Sequence, residues 1–331
     1  MRLLASALIA LAGSTVIPAA ATLPQEAPPA AAQARTVEIR PRLRVGDRLQ
    51  LNLVKSREDW QGAARLKANE STTPVDIECV EQLADGWRCR WTYGKVDLSK
   101  VEGAAPDEIT QRIAGLVDGL HFDLTLDANG AFAGVADEQA AVERLDKCFA
   151  GFEELLLAKA GVAVADRARA EAVIEQLRPL LRGPALLASS LREPQFYFVL
   201  GAGEFEFGVA QEFEIQLPSP LTSAALPARR TVELVELRRG GAEALISWKQ
   251  RIDAQALATE LFERAKAQAR QAGEREPTQE ELVSMDVRDD ALFYVDLATG
   301  LPARVEFART IVTGERRRVD SFRLEPRAAA K

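Results

Sequence analysis

The stretch Val135–Leu191 reads VADEQAAVERLDKCFAGFEELLLAKAGVAVADRARAEAVIEQLRPLLRGPALLASSL, and it decides the fold class of this chain. Its apolar residues recur about every 3.6 positions, which is the period of an amphipathic helix. The segments before and after it alternate with a period of two, which is typical of half-buried strands. Two strand-rich regions separated by a helical block predict one α+β domain, in which the helices pack on a curled, largely antiparallel β-sheet.

The helical block itself divides into two predicted helices. The first presents one apolar face, made of Val142, Leu145, Phe149, Phe152 and Leu156. The second covers about Ala165–Leu181, and Gly183-Pro184 should end or kink it. One further helix is predicted over Asp253–Ala272, because its apolar residues keep helical spacing and Gly273 supplies an ending.

The best local signal for strands lies in the N-terminal half of the chain. Apolar residues alternate on both sides of Asp85-Gly86, over Val75–Cys79 and Trp87–Tyr93. Both turn residues tolerate a positive φ, so this pattern predicts a β-hairpin. The polar run before it, Trp60–Thr73, predicts a loop or a weak strand.

After the helical block the sequence is again typical of a sheet. Phe196–Val199 is a short apolar run that predicts a buried strand, and Phe205–Leu217 predicts a long hairpin with an irregularity near Gly208. Further strands are predicted over Thr231–Leu237, Ala242–Ile252, Val283–Leu297, Ala303–Thr313 and Arg317–Leu324.

The N-terminus has the three parts of a secretory signal peptide. Arg2 is followed by an apolar run over Leu3–Gly13 and by small residues up to Ala21, which predicts a signal peptide over 1–21. Residues 22–35 are mostly Pro, Ala and Gln and predict a disordered spacer. The predicted domain then covers 36–326, followed by a flexible tail over 327–331. We expect a periplasmic protein, with full secretion as the alternative, and no transmembrane segment in the mature chain.

Charge restricts the partners that this protein can have. The formal net charge of the chain is −7. Nucleic acids and anionic membranes are bound by proteins that present a basic face. We therefore expect no nucleic-acid partner. Arginine is locally dense at Arg40–Arg44 and Arg316–Arg318, which we interpret as solvated edge strands and turns.

The chain contains three cysteines. Cys79 and Cys89 lie on opposite arms of the predicted hairpin, at similar distances from its turn, so we predict a disulfide between them. The alternative is a pair of buried, reduced thiols. Cys148 lies on the apolar side of a predicted helix and is expected to be a small core residue.

No motif in the sequence predicts catalysis. His121 is the single histidine, which excludes zinc sites that use several histidines. His121 and Asp123 would face the same way on a strand, but no Gly-x-Ser-x-Gly sequence supplies a nucleophile. The acidic residues Asp286, Asp289, Asp290 and Asp296 are expected to be solvated turn charges. We therefore expect no catalytic residue, cofactor or metal.

Two segments resemble exported bacterial proteins of unknown function. They are Phe122–Gly130, with the sequence FDLTLDANG, and Phe293–Pro302, with the sequence FYVDLATGLP. The second is similar to segments of LolA/LppX-type lipoprotein carriers. This resemblance implies a strongly curved antiparallel sheet that holds apolar ligands beneath covering helices.

These observations lead to one main hypothesis and two alternatives. The main hypothesis is a non-enzymatic carrier for an apolar or lipid-like ligand. Its candidate pocket consists of Phe149, Phe152, Leu156, Phe196 and Phe198, although the same phenylalanines could fill a solid core. The first alternative is a cell-envelope scaffold or assembly factor that acts through an envelope protein partner. The second is a hydrolase without a recognisable motif.

Overall fold

The structure is a computed structural model that describes residues 36–98, 108–160, 164–177, 183–218, 225–273, 275–278 and 284–327. The predicted signal peptide and spacer lie outside these ranges, as does the predicted tail after Arg327. Within them, no helix is long and apolar enough to cross a membrane.

The described strands are β1 Thr36–Ile39, β2 Arg48–Gln61, β3 Ala64–Leu83, β4 Gly86–Tyr93, β5 His121–Leu126, β6 Phe132–Val135, β7 Gly203–Glu206, β8 Ala210–Pro218, β9 Ala225–Arg238, β10 Glu243–Ile252, β11 Met285–Asp296, β12 Leu301–Thr313 and β13 Arg316–Pro326. The described helices are α1 Glu108–Gly115, α2 Glu138–Ala160, α3 Val164–Leu177, α4 Gly183–Ser190, α5 Arg192–Tyr197 and α6 Ala254–Ala272, and a 3₁₀ turn covers Arg239–Gly241.

Eleven of the described strands form one antiparallel sheet in the order β6-β5-β4-β3-β2-β13-β12-β11-β10-β9-β8. Each pair of neighbouring strands in this sheet is consecutive along the chain, except at the centre, where β2 pairs with β13. The main-chain N–H of Arg327, just after β13, donates to the carbonyl oxygen of Gln50. The two short strands β1 and β7 pair separately. This architecture agrees with the predicted α+β class and its largely antiparallel sheet.

The strongest local signals in the sequence are confirmed. β3 and β4 form the hairpin predicted around Asp85-Gly86. α6 begins after Asp253, whose side chain accepts a hydrogen bond from the N–H of Ala256 at 2.8 Å, and it ends at Gly273 with φ of 70°. A carboxylate at the first position and a left-handed glycine at the end satisfy the free backbone groups of a helix.

Of the two alternatives predicted over Trp60–Thr73, the loop is wrong and a strand is present. β2 and β3 are long strands that cross this region and turn at Gly62, where φ is 57°. Just before this region, in β2, Lys55 and Arg57 face inward and pair with acids that are distant in sequence, so polar side chains hide the strand period there.

The predicted strand over Phe196–Val199 is also wrong, because Phe196 and Tyr197 end the helix α5. A four-residue apolar run cannot distinguish a strand from a buried helix. Pro194 is compatible with this helix, since the first turn needs no N–H from it.

The long hairpin predicted over Phe205–Leu217 does not form. β7 pairs with β1, and β8 pairs with β9. The N–H of Gly208 donates to the carbonyl oxygen of Leu234, which turns the chain toward β9 between the two segments.

The loop after β1 contacts two turns of the large sheet. A Cβ atom at Gly130, in the β5–β6 turn, would lie 2.7 Å from the Cβ of Pro41. A Cβ atom at Gly300, in the β11–β12 turn, would overlap the carbonyl oxygen of Arg40. Residues 40 and 41 therefore lie against turns from both halves of the sheet.

Candidate functional site

One face of the sheet carries an aromatic floor, which consists of Trp248 on β10, Phe293 on β11, Phe307 on β12 and Phe322 on β13. All four side chains are buried in the principal hydrophobic core. Phe307 and Phe322 are directly opposite in the strand register and stack with ring centroids 5.0 Å apart. Strand alternation places these rings on one side of the sheet, where they form a continuous apolar surface.

Phe196 of α5 covers the aromatic floor. Its ring centroid lies 4.5 Å from that of Phe307 and 4.7 Å from that of Trp248. It lies 5.8 Å from Phe293 and 5.9 Å from Phe322. Phe196 nevertheless remains partly exposed.

The position of α5 is fixed by contacts on either side of Phe196. Lys55 Nζ lies 2.7 Å from Glu193 Oε1, and both side chains are buried. The hydroxyl of Tyr197 donates to the carbonyl oxygen of Pro302 at 2.8 Å, and its ring packs edge-to-face on Trp91. These contacts hold the helix to strands from both halves of the sheet.

A polar row crosses the same face beside the aromatic floor. Its members occupy directly opposed positions on β9, β10, β11, β12, β13 and β2. In that order they are Arg230, Gln250, Asp289, Arg309, Asp320 and Arg57. Each lies on the inward face of its strand, in phase with the floor residues.

Hydrogen bonds run along most of the polar row. Arg309 donates through Nε and Nη2 to both oxygens of Asp289 at 2.7 Å. Gln250 donates to Asp289 and accepts from Arg230. Arg57 Nε donates to an oxygen of Asp320 at 2.8 Å. The bidentate pair is the geometry in which an arginine and a carboxylate interact most strongly.

Two arginines at the floor lack a carboxylate within ion-pair distance in the described part of the chain. The guanidinium carbon of Arg192 lies 4.5 Å above the ring of Phe307, and that of Arg230 lies 5.2 Å above the ring of Trp248. The Nη2 atom of Arg192 is buried without a hydrogen-bond acceptor among the described residues. Cation–π contact compensates only part of the lost hydration.

Burial changes the pKa values of these arginines in different directions. Burial lowers the pKa of Arg192 and the nearby charge of Arg309 lowers it further, whereas the charges of Asp289, Glu193 and Asp320 act to raise it. Burial also lowers the pKa of Arg230. For Arg309, burial acts to lower the pKa, but the hydrogen bond and charge of Asp289 raise it overall. Burial therefore disfavours the charged forms of Arg192 and Arg230.

A second apolar cluster lies beyond the polar row, beneath α6. Leu226, Leu257 and Val287 form its buried centre. Ile252 and Ile311 lie on the inward faces of their strands and pack against it. The polar row therefore separates two apolar regions of one sheet face.

The structure separates the residues of the predicted pocket. Phe196 lies on the aromatic floor, and Phe198 is buried in the same core and contacts Tyr197. Phe149 and Phe152 are both buried on α2, with ring centroids 5.9 Å apart, outside the core cluster that contains the floor. The side chain of Leu156 lies outside the described part of the structure.

No protein-family model matches this chain, and no curated protein matches it. Among solved structures, the chain is similar to a structure of lipovitellin. That structure concerns lipid–protein interactions in lipovitellin. The TM-score is 0.37 and the sequence identity 8%, over 87% of this chain and 26% of that chain. This chain therefore spans about a quarter of that protein's length. The resemblance to LolA/LppX-type carriers stays a prediction.

The predicted disulfide is not formed in the structure, where Cys79 and Cys89 are free thiols. The two residues are directly opposed, as predicted, and both are buried. The strand register shifts immediately after Cys79, so the pair lies next to an irregularity in the hairpin. Burial raises the pKa of both thiols, and it also raises the pKa of Cys148.

Asp123 and Asp289, which the sequence offered as polar candidates, have defined partners in the structure. Asp123 does not orient His121, because its carboxylate accepts two hydrogen bonds from Arg90, at 2.8 and 3.2 Å. Asp289 is a buried member of the polar row, so its interpretation as a solvated turn charge is wrong. Arg309 stabilises this carboxylate in the sheet.

Sequence reasoning missed the polar row, although each strand contains a signal for it. Gln250 is in phase with Trp248, and Arg309 is in phase with Phe307. A polar residue that shares the inward phase of its strand must be paired or hydrogen-bonded in the core. The pairing partners, however, come from neighbouring strands and cannot be identified within one segment.

Proposed function

We propose that this protein is a non-enzymatic periplasmic binding or carrier protein for an apolar or lipid-like ligand. The observation that carries the proposal is the cover of the aromatic floor, where the ring of one partly exposed residue, Phe196, lies on four other rings. An apolar chain that replaces the Phe196 ring would gain the same contacts with the floor.

The contacts of α5 suggest how a ligand enters. The side chains of Glu193 and Tyr197 are held by Lys55 and Pro302, whereas the described contacts of the Phe196 side chain are ring contacts alone. A rotation of the Phe196 side chain opens the floor and leaves the helix attached. Rotamer changes of this kind are common when proteins bind ligands.

The two contacts of residues 40 and 41 support a curled sheet in this proposal. The nearest strands of the β5–β6 and β11–β12 hairpins, β5 and β12, are five strand spacings apart in the sheet order, or roughly 24 Å in a flat sheet. Gly130 and Gly300 nevertheless both approach the adjacent residues Arg40 and Pro41. A curl that brings these turns together makes the floor side concave, as a ligand site requires.

The test is native mass spectrometry of protein purified without detergent, followed by organic extraction and addition of dodecanol. We expect either a copurified lipid or saturable binding of dodecanol. A clean unliganded mass together with no binding of dodecanol contradicts the carrier function.

A second candidate is an envelope scaffold, which the free edge of the sheet favours. Among the described strands, β8 pairs with β9 alone. Phe207, Val209 and Phe213 near this edge are 45–48% exposed. An apolar strand edge can pair with another chain. Recovery of a stoichiometric partner from envelope extract by wild type, but not by Phe213→Glu, would favour the scaffold.

A further inference from the structure

The charges on the floor side of the sheet do not balance. Arg309 pairs with Asp289, Arg57 with Asp320, and Lys55 with Glu193. In the described part of the chain, this leaves Arg192 and Arg230 without a carboxylate partner. Both are half-buried, and an unpaired cation in such a place is unfavourable unless a counter-ion joins it.

The two unpaired arginines border the same part of the aromatic floor. Arg192 stacks on Phe307 and Arg230 stacks on Trp248. In the strand register only Ala291 lies between these two aromatic residues. Because the side chain of Ala291 is only a methyl group, space remains between the rings of Trp248 and Phe307, and the ring of Phe196 lies close to both of them. An anion near this position would therefore lie between two cations and beside an apolar surface.

We propose that Arg192 binds the anionic group of an amphiphile, a carboxylate or a phosphate, and that Arg230 flanks it as the second cation. The buried Nη2 atom of Arg192, which has no acceptor among the described residues, is the donor that this group completes. The planar guanidinium matches both kinds of anion. The apolar part of the amphiphile takes the place of Phe196 on the floor, so this inference rests on the proposed carrier function.

Competing charges near this site are already neutralised. The carboxylate of Asp289 is bound by two nitrogens of Arg309 and by Gln250. The carboxylate of Glu193 is bound by Lys55. Asp320 is likewise paired, with Arg57. These pairs reduce the repulsion of an incoming anion, while all three carboxylates still interact with the charge of Arg192.

The experiment compares ligands that have an anionic group, an alkyl chain, or both, so that the contribution of each part is measured. Binding of laurate, dodecyl phosphate and dodecanol is measured by titration calorimetry on the full-length protein, with acetate and inorganic phosphate as anions without a chain. We expect laurate or dodecyl phosphate to bind at least about tenfold more tightly than dodecanol, because a charge-assisted hydrogen bond is added. We expect the anions without a chain to bind far more weakly.

Variants then assign the site. Arg192→Gln should lose at least about tenfold in affinity for laurate and leave the affinity for dodecanol unchanged. Arg230→Gln should show a smaller loss, and Arg192→Lys, which keeps the charge, should retain part of the affinity. The matched control is Arg251→Gln, because Arg251 is exposed on the opposite face of β10. Thermal unfolding confirms that each variant folds.

Each contrary outcome has its own meaning. If dodecanol and laurate bind equally well to wild type and to Arg192→Gln, the carrier function stands and the anion site is wrong. If neither binds and the purified protein also carries no copurified lipid, the carrier function itself fails. If inorganic phosphate binds as tightly as dodecyl phosphate, the ligand is a free anion and the amphiphile is excluded.

Discussion

Lys55 Nζ and Glu193 Oε1 lie 2.7 Å apart, with side-chain exposures of 4% and 3%. Lys55 belongs to β2 at the centre of the sheet, and Glu193 belongs to α5. The pair therefore joins the helix that covers the floor to the strand that connects the two halves of the sheet. Removing one partner leaves the other charge buried and uncompensated.

Lys55→Met should reduce the free energy of unfolding by about 3–5 kcal/mol, the usual cost of an orphaned buried charge. The double variant Lys55→Met with Glu193→Leu should recover most of that loss. Denaturant unfolding of the single and double variants measures both values. The control is Glu78→Gln, since the Arg48–Glu78 pair is exposed and should contribute little. Equal losses in the single and double variants would contradict the role of the buried pair.

Phe196→Ala should destabilise the protein by roughly 2–3 kcal/mol, less than a fully buried phenylalanine, because the ring is partly exposed. It should also increase the binding of N-phenyl-1-naphthylamine, because it uncovers the aromatic floor. Phe213→Ala, which removes an exposed ring near the sheet edge, is the matched control and should change neither quantity. Unchanged dye fluorescence in Phe196→Ala would show that the floor closes over the space.

Native protein should react slowly with maleimide at all three cysteines, because burial raises the pKa of each thiol and keeps it protonated. After unfolding without reductant, we expect three reactive thiols, as the structure has all three free. A count of one thiol would instead mean that Cys79 and Cys89 are oxidised, as the sequence predicted. Mass spectrometry of the labelled protein distinguishes these results.

Asp123→Asn should destabilise the protein at neutral pH by no more than about 1 kcal/mol, because Arg90 and Asp123 form a partly exposed pair. Burial acts to raise the pKa of Asp123, but Arg90 lowers it below its ordinary value overall. The contribution is thus present above the unfolded-state pKa and is lost as pH falls through the folded-state pKa. Unfolding midpoints of wild type and variant should converge once the pH falls below the folded-state pKa of Asp123. A gap that persists there would exclude the ion pair as its cause.

Gly300→Ala should cost more stability than Gly240→Ala. Both glycines have φ of 68°, so both substitutions introduce left-handed strain. Only at Gly300 would the new Cβ also overlap a backbone atom, the carbonyl oxygen of Arg40. Thermal unfolding of the two variants compares them directly, and equal midpoints would mean that the contact between this turn and Arg40 is loose.

The parts of the fold that could be predicted are those whose signals are local. Asp85-Gly86 between alternating segments was sufficient for the β3–β4 hairpin, and Asp253 with Gly273 delimited α6. In each case one short segment contains both the apolar periodicity of the element and the turn or capping residue that ends the element. Neither needs information from a distant part of the chain.

The candidate site could be predicted only in part, because its contacts are non-local. The sequence predicts Phe196 as an apolar pocket residue but places it on a strand. Its position on the helix α5 depends on contacts with the aromatic floor, whose four residues come from four different strands. Lys55 and Arg57 concealed a long strand because their acids lie on α5 and β13. In both cases, contacts between segments that are distant in sequence determine the secondary structure.

The pairing of β2 with β13 has a consequence for the order in which the chain folds. The hairpins on either side need only neighbouring segments, so each half can pair as it is synthesised. The central pair must wait until residues 316–326 have left the ribosome, and until then both halves present an unpaired inner edge. A chain that is exported before it folds would avoid this exposed interval in the cytoplasm, where strand edges invite aggregation.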